Sequence, residues 1–159
     1  MPILLDHQLR EQISQDLLAF PAAFYCDELA GLPDRAGPMH WHPYLEIATA
    51  QSGALDYQVG QEHALLEPGD SILVNQNVLH GIRQVSGEAP DPLPIVVFSG
   101  TLIAPENSAI YQKYIRPVLS CSALPFVVFR RADGRWDGVR QQISEAYDAL
   151  RQRPDCYEL

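Results

Sequence analysis

Apolar residues recur along this chain in two rhythms. Between about residues 20 and 100 they fall in short segments rich in aromatic and β-branched side chains: "AAFYCDELAG", "MHWHPYLEIATAQSG", "LDYQVGQEHALLEPGD", "SILVNQNVLHGIRQV" and "LPIVVFSG". Gly, Pro, Asp and Asn punctuate these pieces, and strand-sized runs at such spacing predict an antiparallel sandwich or barrel. "YQVGQEHAL" predicts a hairpin turning at Gly60 and Gln61. "LEPGDSILV" predicts a tight turn at Pro68-Gly69-Asp70, then a strand from Ser71 to Val74, with His80 opening the next strand.

Helical periods flank this region. Residues 6 to 18 carry Leu9, Ile13, Leu17 and Leu18, with Asp6 available as an N-cap. "ENSAIYQKYIRPVL" places Ile110, Tyr114, Ile115 and Val118 on one face, with Asn107 or Ser108 as cap. "LPFVVF" (124 to 129) is one more strand or extended segment. The strongest helix runs from about 137 to 153, where Val139, Ile143, Ala146, Tyr147 and Leu150 form a continuous stripe. That stripe either packs on the barrel or forms a dimer seam, and the pattern alone does not separate the two.

A chain of 159 residues fits one domain whose core needs no disulfide. Thirteen prolines and ten glycines agree with many turns and short strands. Eleven basic against twenty acidic side chains give a formal charge of −9, with basic clusters only in "FRRADGR" and "RQR". That balance argues against this chain itself neutralising phosphates or meeting an anionic membrane. Cys26, Cys121 and Cys156 are scattered and odd in number, which predicts free thiols in a reducing compartment. Neither a signal peptide nor an apolar run of roughly 18 residues is evident, so the expected location is the cytoplasm.

The chemistry concentrates in "HWHPYLEIATAQSG". On an extended strand His40, His42, Tyr44 and Glu46 would share one face. Ionisable groups stacked on a single face are expensive unless that face lines a wet cavity, binds a ligand or holds a metal. Imidazoles and a carboxylate suit Zn, Ni, Fe or Mn, and His80 is a fourth candidate. Three readings of the pair of histidines stay open: metal ligands, polar groups facing an organic effector, and hydrogen-bonded structural histidines. Trp41, Tyr44, Tyr57 and Phe98 are candidate cavity aromatics or simply core. His63 and His7 have no partner at ligand spacing. No G-x-S-x-G elbow, phosphate-cradling Gly loop or H-E-x-x-H helix occurs.

The order H-x-H-x3-E-x6-G, then P-G-D, a strand and a lone His resembles the two-motif pattern of the cupin superfamily. That resemblance implies a small β-barrel in which His40, His42, Glu46 and His80 are the candidate ligands that can hold a metal, with no cofactor firmly implied. Two positions depart from the pattern. Asp34 stands where a glycine is expected six residues before the first His, and P-x-G-x-x-H appears as Asn75-x-Asn77-x-x-His80. More narrowly, residues 20 to 159 resemble the N-terminal effector-sensing domain of AraC-type transcriptional regulators. The resemblance rests on the strand from His40 to Ile47, the hairpin from Gly53 to Gly60, the turn from Leu66 to His80, and the helical tail.

The resulting expectation is a mainly β chain, a cupin-like antiparallel barrel (jelly roll) followed by two or three α-helices. An N-terminal arm or helix spans 1-20, the barrel 21-104, and a helical, dimerising tail 105-159 leads to a helix-turn-helix DNA-binding domain absent from this chain. The resemblance implies a non-enzymatic sensor and homodimer, with DNA bound only through that absent domain. Effector contacts are expected at His40, His42, Tyr44, Glu46, Tyr57 and His80, and dimer contacts at Val139, Ile143, Ala146, Tyr147 and Leu150. The alternative is a stand-alone metal-dependent cupin enzyme, a dioxygenase or isomerase.

Overall fold

The computed structural model describes residues 3–12, 20–87 and 92–151. Among the described residues, nine strands form two antiparallel sheets. Strands β1 (Ala22–Glu28), β8 (Pro92–Phe98), β3 (Leu45–Thr49), β6 (Ser71–Val74) and β9 (Phe126–Phe129) lie side by side in that order in the first sheet. The second is ordered β2 (Ala36–His40), β7 (His80–Gln84), β4 (Leu55–Val59) and β5 (Glu62–Leu66). Their inner faces enclose one core. Leu55, Tyr57 and Val59 on β4 alternate inward, meeting Leu66, Ile72, Val74, Ile95 and Val97, as a two-residue period requires.

Turn chemistry places the strands. The β4–β5 hairpin pairs Val59 with Glu62 across Gly60 and Gln61, and Gly60 takes the positive φ of 59° that this tight turn demands. At Pro68-Gly69-Asp70, Gly69 has φ 90°, and a Cβ there would sit 2.6 Å from Cδ of Arg131. Asp70 reads that turn out to the rest of the fold. Its carboxylate accepts from the backbone N–H groups of Arg131 (2.7 Å) and Glu67 (3.1 Å) and from the Arg130 guanidinium (2.8 Å).

Beyond β8 the chain leaves the sheet and returns. The Ser108 hydroxyl accepts from the N–H of Tyr111 (3.1 Å), capping a π-helical turn, Tyr111–Ile115, that runs into a short helix, α1 (Arg116–Leu119). Pro117 has no N–H to donate back along that ladder, which accounts for the widened turn before it. The chain then re-enters the first sheet as β9, whose Phe126 pairs with Val74 of β6. The strand expected at 124 to 129 thus forms within the stretch that otherwise reads as helical tail. Asn75 fastens the excursion, donating its side-chain amide to the carbonyls of Val118 (2.8 Å) and Leu124 (3.1 Å).

The last helix, α2 (Asp137–Arg151), carries the predicted stripe and lays it on the protein's own sheet. Ile143 and Tyr147 are buried against Phe24 and Val96, with Val139 and Leu150 packed beside them and Ala146 exposed. The Tyr147 hydroxyl also shares a 2.9 Å hydrogen bond with Thr49 of β3. Within the described fold, Ile143 and Tyr147 of this stripe pack on the protein's own sheet, and Ala146 faces outward. In contrast Ile110, Tyr114 and Val118, on one side of the preceding helical segment, are exposed.

The expected N-terminal helix is corrected over residues 6–12. Asp6 Oδ1 accepts from the N–H groups of both Gln8 (2.8 Å) and Arg10 (3.0 Å), closing a turn in which Leu9 has φ 63°. A carboxylate that satisfies two successive local donors stabilises a turn in competition with a helix. The remaining positions of that helix, 13–18, lie outside the described residues.

Candidate metal and ligand site

The H-x-H-x3-E segment does not form one strand. Strand β2 ends at His40, the chain crosses between the sheets through Trp41–Tyr44, and β3 starts at Leu45. Pro43 lies in the crossing, where its missing N–H and fixed φ disfavour a continuous ladder. His40, His42, Tyr44 and Glu46 consequently do not share one strand face. The crossing nonetheless brings four of the predicted groups together from three directions. His40 comes from the second sheet and His42 from the connection, while Glu46 comes from the first sheet. His80 is the antiparallel partner of His40 in the β2–β7 pair, past a bulge at Gly37/His40.

One ligand atom from each of His40, His42, Glu46 and His80 lies within 4.8 Å of all the others, and all four residues are buried. The histidines are held by a common device. Each Nδ1 meets a backbone carbonyl: Pro38 for His40 (2.9 Å), Tyr44 for His42 (3.2 Å) and Val78 for His80 (2.8 Å). A carbonyl only accepts, so each Nδ1 carries the proton, and in the neutral ring Nε2 presents its lone pair inward. Glu46 is fixed from the other side. Its Oε1 accepts from the Tyr57 hydroxyl at 2.8 Å, while Oε2 lies 3.4 Å from His42 Nε2 and 3.3 Å from His80 Nε2.

Four electron-pair donors thus converge on one buried point, an arrangement that calls for a cation or a shared proton. Without an ion, protons supply part of the balance. Burial opposes charge on Glu46, but the His80 charge and hydrogen bonds from His42 and His80 outweigh it and hold its carboxyl well below the usual range. Burial likewise lowers His80, and the adjacent Glu46 carboxylate outweighs that and raises it. His40 falls to about 4 because of burial and the charge on His80. Three imidazoles and a carboxylate, each oriented by a hydrogen bond from its other polar atom, match the donor set and outer-shell support of a divalent transition-metal centre. The residues fit such an ion.

The two motif departures leave this geometry intact. Asp34 and Asn77 have φ 54° and 59°, the left-handed region that glycine enters freely and Asn or Asp tolerate best among other residues. Asn77 also donates its N–H to the carbonyl of His42 at 2.8 Å, tying the second motif to the first.

A cavity of about 370 Å³ opens onto the centre, lined in part by His40, Glu46, Tyr57 and His80. Of the predicted effector contacts, His42 lies in the ligand cluster but outside the cavity lining, and Tyr44 belongs to neither, its side chain packing against the core. Trp41 is half-buried and docks the arm, while Phe98 packs beneath α2. His63 is exposed and bonds Asp56 (3.0 Å), away from the centre, and His7 is exposed in the arm. Sequence reasoning missed the apolar wall, Tyr25, Leu29, Ile82, Leu93, Ile95 and Val97. The alternation of Leu93, Ile95 and Val97 along β8 carried that signal. It also missed Glu11, whose Oε2 lies 3.8 Å from His40 Nε2 and for which no pattern spoke.

Comparisons with known proteins agree with this architecture. Residues 32–90 match the family model described as Cupin domain. Over 157 residues, 98% of the chain, the sequence is 20% identical to the uncharacterized HTH-type transcriptional regulator YdeC of Bacillus subtilis (strain 168). The chain spans about half the length of that curated relative, 53%. Among solved structures, ToxT from Vibrio cholerae O395, bound to (E)-4-(8-methylnaphthalen-1-yl)but-3-enoic acid, superposes with a TM-score of 0.53 at 13% identity. That likeness covers 84% of this chain and 50% of ToxT. A 1.65 Å structure of ToxT from Vibrio cholerae gives 0.52 at 10% identity, covering 86% and 49%. Residues 32–90 thus match a cupin domain within a two-sheet antiparallel fold, and over 98% of its length the chain is similar to an HTH-type transcriptional regulator.

Proposed function

We propose that this chain is the small-molecule-sensing part of a cytoplasmic, AraC-type transcription regulator. In this reading its barrel binds an effector beside a divalent metal held by His40, His42, Glu46 and His80. The observation that carries the reading is the shared wall: His40, Glu46 and His80 belong both to the four-ligand cluster and to the cavity. A molecule in the cavity therefore touches the centre directly. The regulatory half of the reading is supported by the similarity to an HTH-type regulator through 98% of the chain. The acidic balance of this chain fits a division of labour in which DNA is contacted by a further domain.

When bound, the ion supplies a Lewis-acidic anchor for an oxygen donor. The chain's own residues do the rest. Tyr57 holds Glu46 in place, the carbonyls of Pro38, Tyr44 and Val78 orient the imidazoles, and the apolar wall excludes water from the effector body. Thr49, three residues from Glu46 on β3, is bonded to Tyr147 of α2, which offers a short mechanical route from site to helix. An effector shifts such a route only by binding one arrangement more tightly than the other. A homodimer, in this reading, uses the exposed face of Ile110, Tyr114 and Val118.

The test is metal analysis of protein purified without chelator, followed by ligand-dependent thermal shifts on metal-loaded and metal-stripped samples. The expected result is close to one equivalent of a transition metal in wild type and under about a tenth in His42→Ala, with His63→Ala unchanged. A ligand at a hundred times its Kd adds about 2.7 kcal/mol. Wild type that takes up under about a tenth of an equivalent after reconstitution removes the metal from this function. A metal-dependent cupin enzyme is the second reading, favoured by the same complete ligand set. Multiple turnovers of a bound compound by metal-loaded protein would favour it over sensing.

A further inference from the structure

Trp41 stands between two of the four ligands, at a point where the chain has left one sheet and not yet joined the other. Strand β2 ends at His40 and β3 begins at Leu45. A half-buried residue in such a crossing leaves an N–H and a carbonyl in need of partners. The N-terminal arm supplies both. Trp41 donates its N–H to the carbonyl of Leu9 at 3.0 Å, and its own carbonyl accepts from the N–H of Glu11 at 3.0 Å. Arg10, between these two partners, forms a parallel bridge with Trp41.

The side chain repeats the attachment. The indole N–H donates to the carbonyl of Gln8 at 3.0 Å, and the Arg10 guanidinium lies over the ring, 5.5 Å from its centroid. The arm is itself shaped for this reach. Asp6 closes its turn, Leu5 and Glu11 pair across it, and Gln12 donates its N–H to the carbonyl of Leu4 at 2.8 Å.

The consequence for the centre is geometric. The Trp41 N–H lies in the peptide plane that contains the Cα of His40, and the Trp41 carbonyl lies in the plane that contains the Cα of His42. Holding both planes therefore places the two Cα atoms relative to one another. The carbonyls of Pro38 and Tyr44 turn the two rings, while the arm sets the backbone that carries them. We propose that Trp41 is a positioning residue of the centre, and that docking of the arm on it and binding of a divalent ion strengthen one another. This rests on the metal-assisted sensing reading above. By linkage, the factor by which the docked arm tightens the ion equals the factor by which the ion tightens the arm. Contacts that orient ligands change metal affinity by about 10–100-fold. The arm acts one step further out, through the backbone, which puts the factor at about tenfold.

The experiment uses full-length chain and Zn²⁺. Glu11→Pro removes the N–H that donates to Trp41, and Glu11→Ala, which loses the same carboxylate but keeps that N–H, is its reference. The expected result in a chelator competition is Zn²⁺ affinity about tenfold weaker in Glu11→Pro than in Glu11→Ala. Trp41→Phe, which keeps the ring and the backbone but not the indole N–H, falls between Glu11→Pro and wild type. In wild type, hydrogen exchange at the Trp41 and Glu11 amides should slow on Zn²⁺ loading by about the same tenfold, a response that mere packing of the arm would not give. Equal Zn²⁺ affinity in Glu11→Pro and Glu11→Ala, or exchange at those two amides unchanged by Zn²⁺, would overturn the inference while leaving the centre in place. Failure of wild type to bind Zn²⁺ would remove the centre itself and the inference with it.

Discussion

Replacing Asp70 by asparagine tests how the P-G-D turn secures the barrel. The wild-type carboxylate is 4% exposed and receives three donors: the Arg131 N–H, the Glu67 N–H and the Arg130 guanidinium. An amide keeps one accepting oxygen and turns an NH₂ toward the remaining donors, so at least one bond is lost and one donor faces another. Hydrogen bonds to charged groups contribute about 1.5–3 kcal/mol each. The Arg130 side chain is 44% exposed, so water replaces much of its share. The net loss is about 2–3 kcal/mol, and at about 2–4 °C per kcal/mol for a chain of this size Tm falls by about 4–12 °C.

The pH dependence of that loss has a defined sign. Burial raises the Asp70 carboxyl, but the bonds from Arg131, Arg130 and Glu67 outweigh it and leave it below the ordinary 3.8. A group bound less tightly by protons in the folded state contributes stability that is complete above its unfolded value and is lost as pH falls through the folded one. Denaturant melts of wild type and Asp70→Asn should therefore differ by a constant amount from about pH 8 to about pH 5, and the gap should close as pH drops below about 3.8. A gap under about 0.5 kcal/mol at neutral pH, or one that persists unchanged at about pH 3, would refute this account of the turn.

Three further outcomes follow from the same geometry. Tyr57→Phe strips Glu46 Oε1 of its 2.8 Å donor and should weaken metal affinity by about 10–100-fold in a chelator competition; unchanged affinity would deny Tyr57 a positioning role. Asn77→Gly should be near neutral in a thermal melt, whereas Asn77→Ala, forced to φ 59°, should cost about 1–2 kcal/mol; equal melts would remove the left-handed requirement. Ile143→Ala opens space under α2 against Phe24 and Val96 and should cost about 2–5 kcal/mol, independent of protein concentration. A cost that grows on dilution would return the α2 stripe to an interface.

Much of this fold was legible because its determinants are local. The two-residue alternation of Leu55, Tyr57 and Val59, the Gly60 turn and the Pro68-Gly69-Asp70 turn each declare themselves within a few positions. The four-ligand cluster was legible from spacing, although the reason given for it, one extended strand, was not the way the chain achieves it. Pro43 breaks the strand, and convergence comes instead from two sheets facing each other, which no local pattern encodes. Asp34 and Asn77 read as departures from a motif because residue identity was compared where backbone conformation was the quantity kept. The α2 stripe was visible, but an apolar face does not name its partner, and Phe24 and Val96 lie more than 40 positions earlier. Glu11 was silent for the same reason. Its place beside His40 depends on where hydrogen bonds to Trp41 deliver the arm, not on any rhythm of its own.

The pairing of β6 with β9 also sets an order of events during synthesis. Phe126 reaches back to Val74 across half a hundred residues, and β1 waits longer still for β8. Such distant pairings make the barrel slow to close and leave the β6 edge bare until the chain has been made through Phe129. Until then the bare edge offers unpaired N–H and C=O groups to any other strand. The surface on which α2 folds is formed by Phe24 and Val96, where β1 pairs with β8.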